Sequence, residues 1–151
     1  MTSALLAFLH HGAAFIIFGV LTAELVLMKG EVTLASARSL LRLDAAYGLS
    51  AAMLIVVGFL RVYYTEKGAA YYFHSLPFIA KLTLFAIVGL ISIYPTRQFI
   101  SWRKAVRQQQ APALQEPTRR TIRAIIHVEL TLLLLIMLCA ALMARGIGYL
   151  G

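Results

Sequence analysis

The chain has 151 residues, of which 61% are hydrophobic and only 13% are charged, whereas about a quarter of the residues in a soluble domain are charged. A water-soluble fold of this length cannot hide so much apolar surface, so lipid must cover part of it. The net charge of +8 falls in short segments between long apolar runs. This placement is typical of membrane topology and argues against a nucleic-acid partner.

Four apolar stretches follow one another along the chain, and each has about the 20 residues that cross the hydrocarbon core as a helix. They cover residues 4–28, 45–64, 76–94 and 122–143. The strict alternation that a membrane barrel requires is absent. We therefore predict an all-α, integral membrane four-helix bundle, with residues 1–151 as a single transmembrane domain.

The segments that connect these spans on one side carry short amphipathic patterns. Residues 33–42 are predicted to lead into the second helix. Phe99, Trp102 and Val106 recur at helical spacing among basic residues, which indicates that the third helix continues into the headgroup region with Trp102 as an interfacial anchor. Residues 108–117 are polar and are predicted to form the turn.

The loops after the first and third spans carry most of the 14 Lys and Arg residues. These are Lys29, Arg38, Arg42, Arg97, Arg103, Lys104, Arg107, Arg119, Arg120 and Arg123. Because basic loops stay in the cytoplasm, we expect both termini outside and the amphipathic segments on the cytoplasmic side. The predicted location is the bacterial inner (cytoplasmic) membrane, with several crossings and with membrane lipids as partners.

Ionisable residues within the spans are costly in lipid and normally face the bundle interior, so function is sought there. The topology places them in two layers. The outer layer contains His10, His11, Arg61, His74, Lys81 and Arg145. The inner layer contains Glu24, Asp44, His127 and Glu129.

The adjacent histidines of the first helix point to a haem site. A neutral imidazole is a common axial ligand of haem iron, and four-helix bundles house haem between facing helices. His10 or His11 would ligate the iron, with His74 or Lys81 as second ligand, and Arg61, Lys67 and Lys81 would hold the propionates. Without a Cys-x-x-Cys-His motif the cofactor would be non-covalent haem b. The alternative is that these histidines only hydrogen-bond between helices.

The inner layer has its own alternatives. Glu24, Asp44, His127 and Glu129 form a candidate proton relay or cation site. Alternatively, Glu24 and Asp44 pair with nearby cytoplasmic arginines, and His127 is a buried hydrogen-bonding histidine.

Several motifs resemble a bacterial family of four-helix membrane proteins of unknown function, and the resemblance covers nearly the whole chain. The motifs are Leu9-His10-His11, Arg61, Lys67-Gly68, Phe78-Ile79-Ala80-Lys81-Leu82, Ser92-Ile93-Tyr94-Pro95-Thr96 and Ala144-Arg145-Gly146.

The chain is also similar, more distantly, to the HemJ type of protoporphyrinogen oxidase. That resemblance implies a haem b protein that oxidises protoporphyrinogen in the membrane. His10 would match the histidine of that family and Lys81 its lysine. The Pro-Arg pair of that family corresponds here to Ala23-Glu24, which inverts the local charge.

The sequence therefore favours a membrane-embedded b-type haem protein with a redox role, either electron transfer or oxidation of a quinol or porphyrinogen-like substrate. The expected small-molecule partner is of the quinone or porphyrin type. The alternatives are a small transporter of protons, ions or solutes, which would need to form a homo-oligomer for alternating access, and a non-enzymatic assembly partner of a membrane complex.

Overall fold

The computed structural model describes residues 2–64 and 73–150, and this part of the chain forms five α-helices. In chain order they are α1 (Thr2–Leu27), α2 (Leu34–Tyr64), α3 (Leu76–Ser101), α4 (Arg103–Arg107) and α5 (Glu116–Ala144). Among the described residues there is no strand. With α3 and α4 counted together, four helices are long and apolar enough to span a membrane, which confirms the predicted count.

The amphipathic segment before the second span is helical, as predicted. Thr33 caps its start, because Thr33 Oγ1 accepts the backbone N–H of Ser36 over 3.2 Å. The helix therefore begins at Leu34 rather than at residue 45. Polar residues such as Asp44 do not interrupt it, since a helix satisfies its backbone whatever the side chain.

The third span also extends further than residue 94. Pro95 lies inside α3, and its ring is buried there. The helix tolerates the missing N–H and ends at Ser101. Trp102 separates α3 from the short α4 and is itself buried, with its ring 5.1 Å from that of Phe99. The predicted helical continuation is thus confirmed, with a break at Trp102, whereas Trp102 packs in the main buried cluster instead of projecting as an anchor.

The long helices pack as two antiparallel hairpins, α1 on α2 and α3 on α5. The hairpins meet through smaller contacts of α1 with α5 and of α2 with α3. The two basic loops consequently lie at one end of the bundle, here called the basic end. The opposite end, with the starts of α1 and α3 and the ends of α2 and α5, is called the termini end.

Close packing is concentrated toward the basic end. The main buried apolar cluster consists of Ile17, Val20, Leu21, Met28, Ala37, Leu40, Tyr47, Phe99, Trp102, Ile122 and Ile126. At the termini end the corresponding cluster is Val62 and Phe78 with Met143 beside them. Large apolar side chains such as Phe15 and Leu49 are exposed around the bundle, where lipid would cover them.

The chain after α5 folds back over the start of α3. Gly146, at positive φ, closes α5 in a Schellman motif, in which the Ile147 N–H bonds the Leu142 carbonyl over 3.1 Å. Leu76 N–H then donates to the Gly148 carbonyl over 3.0 Å, and Leu150 N–H donates to the His74 carbonyl over 2.9 Å. This pairing is called the tail bridge. It holds the chain after α5 against the start of α3, within one hairpin, at the termini end.

Candidate functional site

A cavity of about 170 Å³ lies inside the termini end. All four long helices contribute to its wall. Its polar side chains are His10 from α1, Arg61 from α2 and Lys81 from α3, while α5 contributes only apolar groups. We call it the His10 cavity. The structure thus brings three predicted outer-layer residues to one place.

His10 reaches the cavity because α2 presents a glycine to it. A Cβ added at Gly58 would lie 3.2 Å from Cε1 of the imidazole, so any side chain there would press on the ring. The ring also interacts with the backbone carbonyl of Leu54. Its buried Nδ1 makes no hydrogen bond of normal geometry within the described chain.

Two cationic side chains approach His10 from the neighbouring helices. Arg61 and Lys81 are both near enough to interact electrostatically with the imidazole. Lys81 also places its Nζ 4.9 Å from the centre of the Phe78 ring, in cation–π contact. The cavity therefore combines hydrogen-bond donors and positive charge with apolar walls, which suits an acceptor or anionic group on an apolar body.

The His10 cavity opens sideways, between α2 and α3. Ile55 and Phe59 on α2 and Leu82 on α3 line it, and all three are exposed on the surface of the bundle. This surface belongs to the apolar stretch of the helices. A molecule dissolved in lipid would therefore enter without crossing water.

The other predicted outer-layer residues do not line the cavity. His11 is exposed, with its ring 6.0 Å from that of His10 in edge contact, and its Nδ1 donates to the Ala7 carbonyl over 2.6 Å. His74 and Arg145 are exposed beside the tail bridge. Lys67 lies outside the described residues.

The size of the cavity decides which predicted ligands fit it. A cavity of about 150 Å³ holds a benzene molecule, so about 170 Å³ accommodates one six-membered ring. The four pyrrole rings of a porphyrin exceed this volume. The donor set of the cavity offers one imidazole, since neither His11 nor His74 lines it. Haem b therefore does not fit the cavity with the helices in this arrangement.

Three carboxyl groups form a second polar cluster, toward the basic end. Glu24 from α1, Asp44 from α2 and Glu129 from α5 all interact electrostatically with one another. We call these three residues the carboxyl cluster. Three of the four predicted inner-layer residues are thus brought together. The fourth, His127, is exposed, and its Nδ1 donates to the Arg123 carbonyl over 2.7 Å.

Burial increases through this cluster. Asp44 is partly buried and accepts a hydrogen bond of 2.6 Å from Thr96 Oγ1, with Arg103 as its cationic neighbour. Glu24 is 3% exposed and Glu129 is 0% exposed. One carboxyl oxygen of Glu24 and both of Glu129 lack hydrogen-bond partners in the described chain. Glu24 and Asp44 were both predicted to pair with arginines. Among the described residues, such an interaction is seen for Asp44, with Arg103.

Sequence reasoning missed the hydroxyl groups around the cluster. Thr96 holds Asp44, and Tyr47 lies between Ser92 and Glu129, interacting with both. The signal was available in part, because these hydroxyls lie inside apolar spans. The sequence could not show that these hydroxyls lie at the same depth as the acids, because that depends on how α2 and α3 are aligned along the bundle axis.

An apolar layer separates the two polar regions. None of the segments 12–23, 45–60, 82–96 and 130–144 contains Asp, Glu, His, Lys or Arg. Ile17 and Val88, at 2% and 1% exposure, fill the centre at this level. His10 and Glu24 are about 21 Å apart along α1, from a rise of about 1.5 Å per residue. Within residues 2–64 and 73–150, no group of three or more His, Cys, Asp or Glu side chains is placed to hold a metal ion.

Comparison with known proteins identifies the family but no characterised relative. The model of the DUF2214 family, whose members are described as predicted membrane proteins, matches residues 2–148. Neither a curated protein nor a solved structure matches the chain significantly. The expected resemblance to a membrane protein family of unknown function is thereby confirmed. Because the match covers nearly the whole chain, this protein belongs to the DUF2214 family of predicted membrane proteins.

Proposed function

We propose that the protein binds a lipid-soluble carbonyl compound of the quinone type within the bilayer, as part of a membrane redox role. The observation that carries this proposal is the His10 cavity, which has the volume of one ring. Its apolar walls suit the ring, and its three polar side chains suit the ring oxygens.

The position of the polar side chains supports an oriented ligand. Arg61 and Lys81 donate hydrogen bonds and favour partial negative charge on a carbonyl oxygen. A ring nitrogen of His10 donates to a carbonyl oxygen when it carries the proton and accepts from a hydroxyl when it does not. A quinone and its quinol would therefore both find partners there, which a redox role requires.

The opening between α2 and α3 supports a ligand with a long apolar tail. Such a tail would leave between Ile55 and Leu82 and remain in the lipid. The ring alone would enter the protein. This division matches the small volume of the cavity and explains how a large lipid would bind to a site of one-ring size.

Haem b and the activity of the HemJ type remain predictions from the sequence. His10 and Lys81 lie together, in keeping with that resemblance, but a porphyrin would require α2 and α3 to separate.

We also propose that the basic end faces the cytoplasm and that both termini lie outside, in a bacterial inner membrane. The support is the positive-inside rule, applied to two loops that share one end of the bundle. The His10 cavity would then open into the outer leaflet.

The test is the quinone content of the purified protein. After purification in detergent, an organic extract is measured for the ultraviolet absorbance that changes on borohydride reduction. We expect bound quinone in wild type and a loss of about tenfold in His10→Ala, since one hydrogen bond to a charged or polar group contributes about 1.4 kcal/mol. The visible spectrum of the same sample tests for haem bands.

His11→Ala is the matched control, because the neighbouring histidine is exposed and does not line the cavity. It should keep the wild-type quinone content. Equal content in all three proteins would mean that the quinone came from carried-over lipid, and the proposal would fail.

Transport and assembly roles also remain predictions. The four helices would need a second copy to form an alternating-access carrier. An assembly role has no specific contact surface in its favour among the described residues, beyond exposed apolar faces that lipid also explains.

A further inference from the structure

The carboxyl cluster plays no part in the proposed quinone site, and the apolar layer separates the two. Its innermost member is unusual in a membrane helix, because Glu129 is fully buried and both carboxyl oxygens lack hydrogen-bond partners in the described chain. A buried carboxylate without partners is too costly to persist, so such a group binds something or carries a proton.

The chemistry around Glu129 narrows the choice. The facing groups are Glu24 from α1, Asp44 and Tyr47 from α2, and the hydroxyls of Ser92 and Thr96 from α3. Within residues 2–64 and 73–150, the cation seen to interact with the cluster is Arg103 of α4, which lies beside Asp44 at its edge.

Three acids with one cation at their edge do not form a balanced ion-pair network. A metal ion is a poor occupant, because the described residues contain no group of three ligands suitably placed for one. Leu21 and Ile126 of the main apolar cluster lie about one helical turn from Glu24 and Glu129, so both acids have apolar neighbours, and an acid in such surroundings is neutralised by a proton. The proton is the ligand that remains.

We propose that the carboxyl cluster is a proton-exchange site that opens to the basic end alone, with Glu129 as its innermost acid. A carboxylate takes up one proton and loses its charge, and the new O–H donates to a neighbouring carboxyl oxygen. No other reactant is needed.

The gradient of burial gives the direction of access. Arg103 is exposed, Asp44 is partly buried, and Glu24 and Glu129 are fully buried. Beyond Glu129 toward the termini end follows the apolar layer with Ile17 and Val88, whose helix segments contain no Asp, Glu, His, Lys or Arg. Protons therefore exchange with one side and do not cross.

The first test is infrared spectroscopy of the purified protein near neutral pH. Protonated carboxyl groups give a carbonyl band that shifts in deuterated water. We expect such a band in wild type and the loss of a component in Glu129→Gln, with Glu24→Gln as a second variant. Glu116→Gln is the control, because Glu116 is exposed and paired with Arg119 and Arg120.

The second test addresses the direction of access. Asp44→Asn at the edge of the cluster should slow the deuterium exchange of the band by about tenfold or more. A tenfold change corresponds to an increase of about 1.4 kcal/mol in the free-energy barrier for exchange. Arg145→Gln, at the termini end, should leave the exchange rate unchanged. Liposomes that contain the protein and a trapped pH indicator should hold a pH gradient as well as empty liposomes.

A band that is absent, or that survives both Glu129→Gln and Glu24→Gln, overturns the proton site. Rapid loss of the pH gradient in wild-type liposomes overturns the one-sided access and supports proton conduction instead. Neither result bears on quinone binding in the His10 cavity, so the two proposals fail separately.

Discussion

The His10 cavity and the carboxyl cluster are both polar regions inside an apolar bundle, but they differ in charge and in room. At the termini end, Gly58 and the sparse packing around Val62 leave a cavity that opens to the side of the bundle. At the basic end, the acids lie against the main apolar cluster. The two regions therefore differ in the ligand that we propose for each: a ring in the His10 cavity and a proton at the carboxyl cluster.

The separation of the two regions is the feature whose disruption has the largest expected effect. Ile17→Asp places a carboxyl in the apolar layer, where it has no partner. We expect a loss of about 3 kcal/mol of stability or more, measured by thermal unfolding in detergent, and faster loss of a pH gradient across liposomes. Ile17→Val, which removes one methylene, should cost about 1 kcal/mol and keep the gradient. Equal stability of the two variants would contradict the presence of an apolar layer around Ile17.

The entrance of the carboxyl cluster depends on the hydrogen bond from Thr96 to Asp44. Thr96→Val removes the donor and keeps the shape, so we expect a loss of about 2 kcal/mol, as for hydrogen bonds to charged groups. Thr83→Val is the control on the same helix, since Thr83 is exposed and bonds its own helix at Ile79. It should change unfolding by less than about 0.5 kcal/mol. A similar loss in both would show that the Asp44 contact adds nothing specific.

The tail bridge limits how far the termini end can loosen. Gly148 has φ +81°, and a Cβ there would lie 2.8 Å from Cδ of Pro77. Gly148→Ala should therefore cost about 1–2 kcal/mol and speed hydrogen exchange at the Leu76 and Leu150 amides. Gly30→Ala, at the basic end, meets open space and should do neither. Unchanged exchange in Gly148→Ala would mean that the tail bridge does not order this end.

The smallest stability change is expected at Gly58. Alanine gains about 0.5–1 kcal/mol of helix propensity, but its Cβ presses on the His10 ring, so the net change should stay below about 1 kcal/mol. The quinone content should nevertheless fall, because the imidazole is displaced. Gly48→Ala on the same helix has no atom within 4 Å and should keep the content. If both variants retain quinone, the His10 ring is not positioned by Gly58.

Much of the fold followed from composition and periodicity. The four spans, the amphipathic segment before the second helix and the helical stretch around Trp102 were predictable, because lipid enforces helices and helices have a fixed period. The boundaries were less so. The apolar span was predicted to end at residue 94, with a helical continuation beyond it, but the sequence did not show that α3 would run through Pro95 and break only at Trp102.

The candidate site was also predictable only in part. The two layers were expected from residue depth alone, since a helix rises by a constant amount per residue. Which member of each layer faces inward was a matter of rotation. His10 and His11 are equally deep, yet one lines the cavity and the other is exposed. His127 and Glu129 differ similarly, by two residues on α5.

The sequence by itself determined that the chain is a bundle of four apolar helices, with basic loops at one end and ionisable groups at two depths. These properties depend on one helix at a time, through its length, charge and rise. Only the tertiary structure decided the partners, because contact between Thr96 and Asp44, or between Gly58 and His10, depends on the alignment and rotation of two helices. It also decided the room at each site, since a cavity is what all four helices together fail to fill.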